Sequence, residues 1–252
     1  MTPVPHTPID AEQARKLRLF AERLMDANKT MNLVKVDGIE MLETRHIQDS
    51  LAALKLPRVR NATRMLDLGT GGGLPGLPLA IALPRVKFTL VDGTSKKIRV
   101  LSEIIDELEI RNATAVAGRA EILAHQPAYR QTFDVVTARA VAPLDVLIER
   151  AAPFCKPGGA LVAFKGIRLH EELKTARALF PQLQIRGTEI VPYSIGDRSF
   201  YLAVFEIGGL ISSRYPRGQV SVKPRRKKAR KKSGMSVPGG TPRKRSHGKP
   251  HP

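Results

Sequence analysis

A single cysteine in 252 residues excludes any internal disulfide. With no second cysteine and no histidine cluster beside it, Cys155 cannot anchor a zinc site. It follows an apolar run and precedes Lys156-Pro157-Gly158-Gly159, and so reads as a small core residue ahead of a turn. A reducing, cytoplasmic setting is expected. No run approaches the roughly 20 apolar residues of a membrane span, so no membrane partner is expected. The opening MTPVPHTPID lacks the charged-then-apolar pattern of a secretory signal. Also missing are a metal-ligand cluster, a G-x-S-x-G elbow, a P-loop lysine motif and a C-x-x-C pair. The six histidines are scattered, and no acid–base constellation is visible. Any chemistry here must therefore work by positioning and electrostatics, without a metal.

Acid is missing from one stretch only. From Arg214 onward there are 14 Lys/Arg and no Asp/Glu, while the rest of the chain carries 28 basic and 23 acidic residues. Most of the net charge of +19 thus sits in a Pro/Gly/Ser-rich end that has too little apolar surface to offset its ordering entropy. The expectation is a disordered basic tail, assigned to 208–252, that contacts RNA. A solubilising tail with nonspecific contacts is the alternative.

What remains reads as one α/β body. Residues 10–27 form an amphipathic helix with Asp10 and Gln13 as a capping box and Leu17, Phe20, Ala21, Leu24 and Met25 on one stripe. A second helix over 39–54 points Leu42, Ile47, Leu51 and Leu54 inward, which defines an N-terminal helical cap over 1–60. From Arg64 short apolar runs alternate with helical stretches. Strands are expected at 64–68, 87–92, 113–118, 133–138 and 159–165, and helices at 76–83, 95–108, 119–124, 143–154 and 169–179. Two further strands, 184–192 and 199–207, close as an antiparallel hairpin around Gly196-Asp197. The result is a mostly parallel seven-stranded sheet over 61–207.

The most informative run is Asp67-Leu68-Gly69-Thr70-Gly71-Gly72-Gly73-Leu74-Pro75-Gly76, lying between a strand and a helix. Gly71, Gly73 and Gly76 fit G-x-G-x-x-G, which brings backbone close to a nucleotide-type cofactor. Asp92 ends the next strand, where an acid accepts from ribose hydroxyls or else caps the following helix. Asp67 sits where a diphosphate would be repelled. A cationic sulfonium donor such as S-adenosyl-L-methionine would tolerate it, unless the acid is simply buried against loop amides. Ala120 and Glu121 follow the third strand, where backbone and acid can meet an adenine or merely start a helix. Arg139, after the fourth strand, can fork onto a cofactor carboxylate or an RNA phosphate, or lie idle at the surface. Lys165, after the fifth, is a second cationic candidate. Arg45, His46 and Asp49 share a helix with Arg45 and Asp49 at i, i+4. They contact RNA or brace the cap.

In order along the chain, NLVKV, RHIQDSL, DLGTGGGLPGLPLAI, LVDGTSKKIRVL, GRAE, FDVVTARAVAPL and the late FKG resemble the glucose-inhibited division protein B family. Its members are the ribosomal RNA small subunit methyltransferase G enzymes, and the likeness covers about residues 28–207. It implies a Rossmann-like class I S-adenosylmethionine-dependent methyltransferase with an N-terminal helical extension. That activity moves a methyl group to N7 of one guanine in 16S rRNA of the small ribosomal subunit. Mapped residue by residue, cofactor contacts fall on Gly69, Leu74, Asp92, Ala120, Glu121 and Arg139, to which the reading of the loop adds Asp67 and Gly71. Arg139 and Lys165 are the candidates nearest the chemistry. The chain departs from the family at Gly72 and Gly93-Thr94, and in the long basic end after SRYPR at 213–217. Two rivals stay open: a nicotinamide-dependent oxidoreductase, and a non-catalytic RNA-binding or ribosome-assembly protein.

Overall fold

The computed structural model describes residues 9–218. α1 (Ala11–Met31) begins at the expected box: the Asp10 carboxylate accepts from the Gln13 amide at 2.8 Å, and the Gln13 side chain accepts from the Asp10 amide at 3.0 Å. It runs one turn further than its stripe, ending at Asn32 in the left-handed region. The second helix runs unbroken over 39–55 but changes type along its length. It comprises α2 (Ile39–Met41), a π-helical stretch Leu42–Ile47, α3 (Gln48–Leu51) and a 3-10 turn Ala52–Lys55, followed by α4 (Pro57–Arg60).

The sheet then builds by alternation: β1 (Arg64–Leu68), α5 (Gly76–Ala82), β2 (Lys87–Asp92), α6 (Ser95–Glu107), β3 (Ala113–Ala117) and α7 (Ala120–Leu123). There follow β4 (Phe133–Arg139), α8 (Leu144–Ala151), β5 (Cys155–Lys165), α9 (Leu169–Ala176), β6 (Ile185–Ile195) and β7 (Arg198–Ile207). Strand order is β3-β2-β1-β4-β5-β7-β6, with β1 to β5 parallel and β7 antiparallel to both β5 and β6. The hairpin turns on Gly196 at φ +57° and Asp197, as its sequence predicts.

β5 starts four residues earlier than expected. Cys155 pairs with Phe133 and then Ala160 with Val135, so the Lys156–Gly159 turn survives as a bulge inside the strand. Cys155 is fully buried, and burial pushes its thiol well above the ordinary range, as befits a core residue.

Two apolar layers flank the sheet. One joins α1, the 39–60 helices, α5 and α6 through Phe20, Leu24, Leu42, Leu54, Leu77 and Leu101. The other joins α8 and α9 through Leu144, Leu147, Leu169 and Phe205. The N-terminal helices thus share the main core with the sheet. Burying Phe20 and Leu24 completely is worth about 1.5–3 kcal/mol each.

The tail begins later than the sequence places it. Residues 208–218 form a packed strap: Ile211 and Tyr215 are buried, and the Arg130 guanidinium donates to the carbonyls of Ala124, Ile211, Ser212 and Tyr215. The buried Glu149 accepts from the Arg217 amide at 2.9 Å and pairs with its guanidinium. One turn-like run, SRYPR, is ordered because it supplies apolar area and main-chain acceptors that a charge count cannot reveal. The dense basic stretch itself lies outside the described residues. Among the described residues no helix is long and apolar enough to cross a membrane.

Candidate cofactor-binding site

The order of strands reverses at β1, between β2 and β4, and ligands of such sheets lie beyond the strand carboxyl ends at that switch. The glycine loop sits there. Gly69 has φ +71°, Gly71 +56° and Gly73 +91°, a sequence of left-handed turns that only glycine adopts without strain. The loop is pinned to β2, with the Gly69 and Thr70 amides donating to the Val91 carbonyl at 2.8 and 2.9 Å. α1 presses on it from behind, where a Cβ on Gly72 would lie 2.9 Å from Leu24. By contrast, a Cβ on Gly71 would meet nothing nearer than the Leu33 carbonyl at 3.8 Å, so that face of the loop is open. Leu33 is held by its neighbour Val34, whose amide and carbonyl both bond the Asn28 side chain at 2.9 Å.

Asp92 stands at the centre. Its Oδ2 accepts from the Gly71 amide at 3.0 Å and its Oδ1 from the Thr94 amide at 2.8 Å, which ties the turn after β1 to the turn after β2. Half-buried and aimed between two loops, it keeps lone pairs for hydroxyl donors. The helix-cap alternative is excluded, because the N-cap of α6 is Thr94. The third turn closes on the same place: the Gly118 amide donates to the Asp92 carbonyl at 3.0 Å, and Ala120 opens the short α7, where the Ile122 and Leu123 amides already donate to the Arg119 carbonyl and the Ala120 amide has no acceptor inside the helix. Glu121 is paired with Arg150 at 2.8 Å. Leu74 has its side chain in the core, so only its backbone faces the loop.

Asp67 requires a correction. It is fully buried, its Oδ2 accepting from the Gly76 amide at 3.0 Å and its Oδ1 from the Thr137 hydroxyl at 2.8 Å. A Cβ on Gly76 would lie 2.8 Å from the Asp67 carboxylate, so the glycine is what admits the acid. Burial drives the Asp67 carboxyl above its usual value, outweighing those bonds. The acid braces the loop from underneath and, fully buried, offers a ligand no accessible surface. The electrostatic choice between cofactors based on it therefore lapses. Thr137 lies 70 residues away, a distance over which sequence gives no pairing signal.

Arg139, at the end of β4, belongs to a network the sequence left undecided. Its Nη1 donates to Asp49 Oδ2 at 2.8 Å and to the His46 carbonyl at 3.2 Å, and both charged side chains are mostly buried. The other Asp49 oxygen takes the Tyr193 hydroxyl of β6. Burial and then the Asp49 carboxylate push the Tyr193 hydroxyl far up. Burial and then the Arg139 charge push His46 down. Nε and Nη2 of Arg139 have no protein partner among the described residues, which leaves one edge of the fork for an anion. The expected Arg45–Asp49 pair does not form. The wider π turn over Leu42–Ile47 carries Asp49 inward to Arg139 and leaves Arg45 exposed. Lys165 is likewise occupied: Nζ pairs with Glu172 at 2.7 Å and donates to the Ala142 carbonyl at 3.1 Å. Among the described residues no group of three or more His, Cys, Asp or Glu is placed to hold a metal ion.

The crevice thus has an acidic, hydroxyl-accepting end at β2–β3 and a cationic end at β4. A family model described as rRNA small subunit methyltransferase G matches residues 13–201. Ribosomal RNA small subunit methyltransferase G of Desulfitobacterium hafniense is 36% identical over 211 residues, covering 83% of this chain and 87% of that protein. The protein of the same name from Alkaliphilus metalliredigens is 34% identical over 222 residues, covering 86% and 92%. Among solved structures, an O-methyltransferase from Bacillus cereus in complex with SAH superposes with a TM-score of 0.55 at 15% identity, covering 80% of this chain and 94% of that one. The O-methyltransferase TomG from Streptomyces achromogenes gives 0.52 at 16%, covering 79% and 91%, so this likeness is one of fold.

Proposed function

This chain belongs to the rRNA small subunit methyltransferase G family, and from that premise we propose that it methylates N7 of one guanine in 16S rRNA, with S-adenosyl-L-methionine as donor. The observation that carries the reading is the two-ended crevice: Asp92 between two glycine-rich turns and the open edge of Arg139 at the switch in strand order. S-adenosyl-L-methionine supplies a methyl group already activated on a sulfonium.

The residues fit it in parts. Asp92 accepts from ribose hydroxyls. The Ala120 amide at the start of α7 meets the adenine. Gly69, Gly71 and the Leu74 backbone line the middle, and the free edge of Arg139 takes the methionyl carboxylate. Glu121 acts through its place in that turn, with Arg150 as its charge partner.

Guanine N7 carries a lone pair at neutral pH, so no general base is required. The work left to the protein is to align the base within about 3–3.5 Å of the methyl carbon and to keep water out. N7 lies on the Hoogsteen edge, which loops and bulges expose and A-form helices hide. A loop guanine in folded 16S rRNA or in the small ribosomal subunit is the target, and the cytoplasm is where the work is done. The basic tail adds sequence-independent grip on that RNA.

Mapping 7-methylguanine in 16S rRNA from cells with and without this protein tests the reading. One modified guanine should disappear, and an unchanged map would reject the target. Removing 219–252 should leave S-adenosyl-L-methionine affinity intact while weakening 16S rRNA binding and flattening its salt dependence. An unaltered salt slope would reject the tail's role.

A further inference from the structure

The turn after β4, Ala140-Val141-Ala142-Pro143, is held in a shape its sequence does not favour. Ala140 has φ +56°, the left-handed region, where a residue with a Cβ and no polar side chain is strained. Such strain persists only where the surroundings fix the chain, and here they do so from one side. Lys165 Nζ, 10% exposed, donates to the Ala142 carbonyl at 3.1 Å and to Glu172 Oε2 at 2.7 Å. The same Oε2 accepts from the Leu144 amide at 2.8 Å. One ion pair therefore clamps the chain on both sides of Pro143, at Ala142 and Leu144. The consequence appears at Val141: its Cγ2 stands 2.7 Å from where a Cβ on Gly69 would be, directly against the glycine loop.

The position of Val141 matters because of how the crevice is divided. Asp92 and the α7 turn belong to the adenosine end, which leaves the reactive end beside Gly69 and Arg139. Val141 is the chain segment laid against that end from the β4 side. We propose that residues 140–143 form a shelf that sets the approach of the target base, and that Lys165 and Glu172 are positioning residues that hold it there and do not touch the substrate. The inference rests on the methyltransferase reading and assigns Lys165 a task other than chemistry.

The test uses the full chain with 16S rRNA lacking the modification. Lys165→Met should lower kcat roughly 10²-fold, the cost of a misplaced reacting group, while KM for RNA and Kd for S-adenosyl-L-methionine stay within about threefold. Lys165→Arg, which keeps both donations, should recover most of kcat. Ala140→Gly removes the strain without removing a contact. It should leave thermal stability equal or higher and still depress kcat. A Lys165→Met enzyme with near-native kcat would overturn the proposal, as would losses shared equally by kcat and cofactor affinity. A wild-type protein that binds S-adenosyl-L-methionine yet leaves 16S rRNA unmodified would instead overturn the functional reading.

Discussion

Two aspartates on neighbouring parallel strands live under opposite conditions. Asp67, near the carboxyl end of β1, is sealed in and its carboxyl is driven up by burial. Asp134, near the amino end of β4, also feels burial. It is nonetheless pulled far down by the Lys156 ammonium, the Thr63 hydroxyl and amide, and the Arg64 amide. One edge of the sheet gathers enough donors to make a charge comfortable, and that favours stability. The other edge holds an uncomfortable acid under a glycine loop, a strained alanine above it and half of an arginine fork without a partner. Local cost is concentrated at the carboxyl edge, where ligands of such sheets lie, and the opposite edge is where the sheet is tied down.

Substitutions can break this contrast. The largest effect is expected from Asp67→Ala, which orphans the buried Gly76 amide and Thr137 hydroxyl and should cost about 2–4 kcal/mol in denaturant unfolding. Asp67→Asn, which still accepts from Gly76, should cost much less. Equal losses would mean the charge itself matters. Next comes Asp92→Ala, expected to weaken S-adenosyl-L-methionine about 10²-fold by calorimetry through two lost charge-assisted bonds. Native affinity would remove Asp92 from the site.

The smallest effect sharpens the contrast most, because the two edges should answer pH with opposite signs. A depressed acid stabilises the fold above its unfolded value of 3.8 and loses that contribution as pH falls. The advantage of wild type over Asp134→Asn, about 1 kcal/mol, should therefore hold above about pH 5 and vanish in acid. A raised acid behaves in reverse: the folded state holds its proton more tightly, so stability declines as pH rises through and above 3.8. Relative to wild type, Asp67→Asn should improve over that interval. Parallel pH curves for the two variants would end the comparison.

Much of the scaffold was legible because its signals are local. The Asp10–Gln13 box, the alternation from Arg64 onward and the Gly196-Asp197 hairpin each depend on residues a few positions apart. The place of Asp92 at the end of β2, beside the glycine loop, was legible too. What escaped depends on partners far along the chain. Asp67 with Thr137, Arg139 with Asp49 and Asp49 with Tyr193 are pairs separated by 70, 90 and 144 positions. The π turn at Leu42–Ile47 was hidden because its apolar residues still satisfy a 3.6-residue period closely enough. The strap at 208–218 reads as tail because the charge that follows it is visible in sequence and the partners of its carbonyls are not.

That strap is gripped in a particular way. The four groups that Arg130 holds are all main-chain oxygens, at positions 124, 211, 212 and 215. What is recognised is the course of the chain, not the identity of its side chains. Sequence drift among those acceptors is therefore cheap at the exposed Ser212, whereas Ala124, Ile211 and Tyr215 are also fixed by burial. Drift at position 130 is not cheap, since a lysine there would bring one point of charge to a task shaped for a five-donor fork.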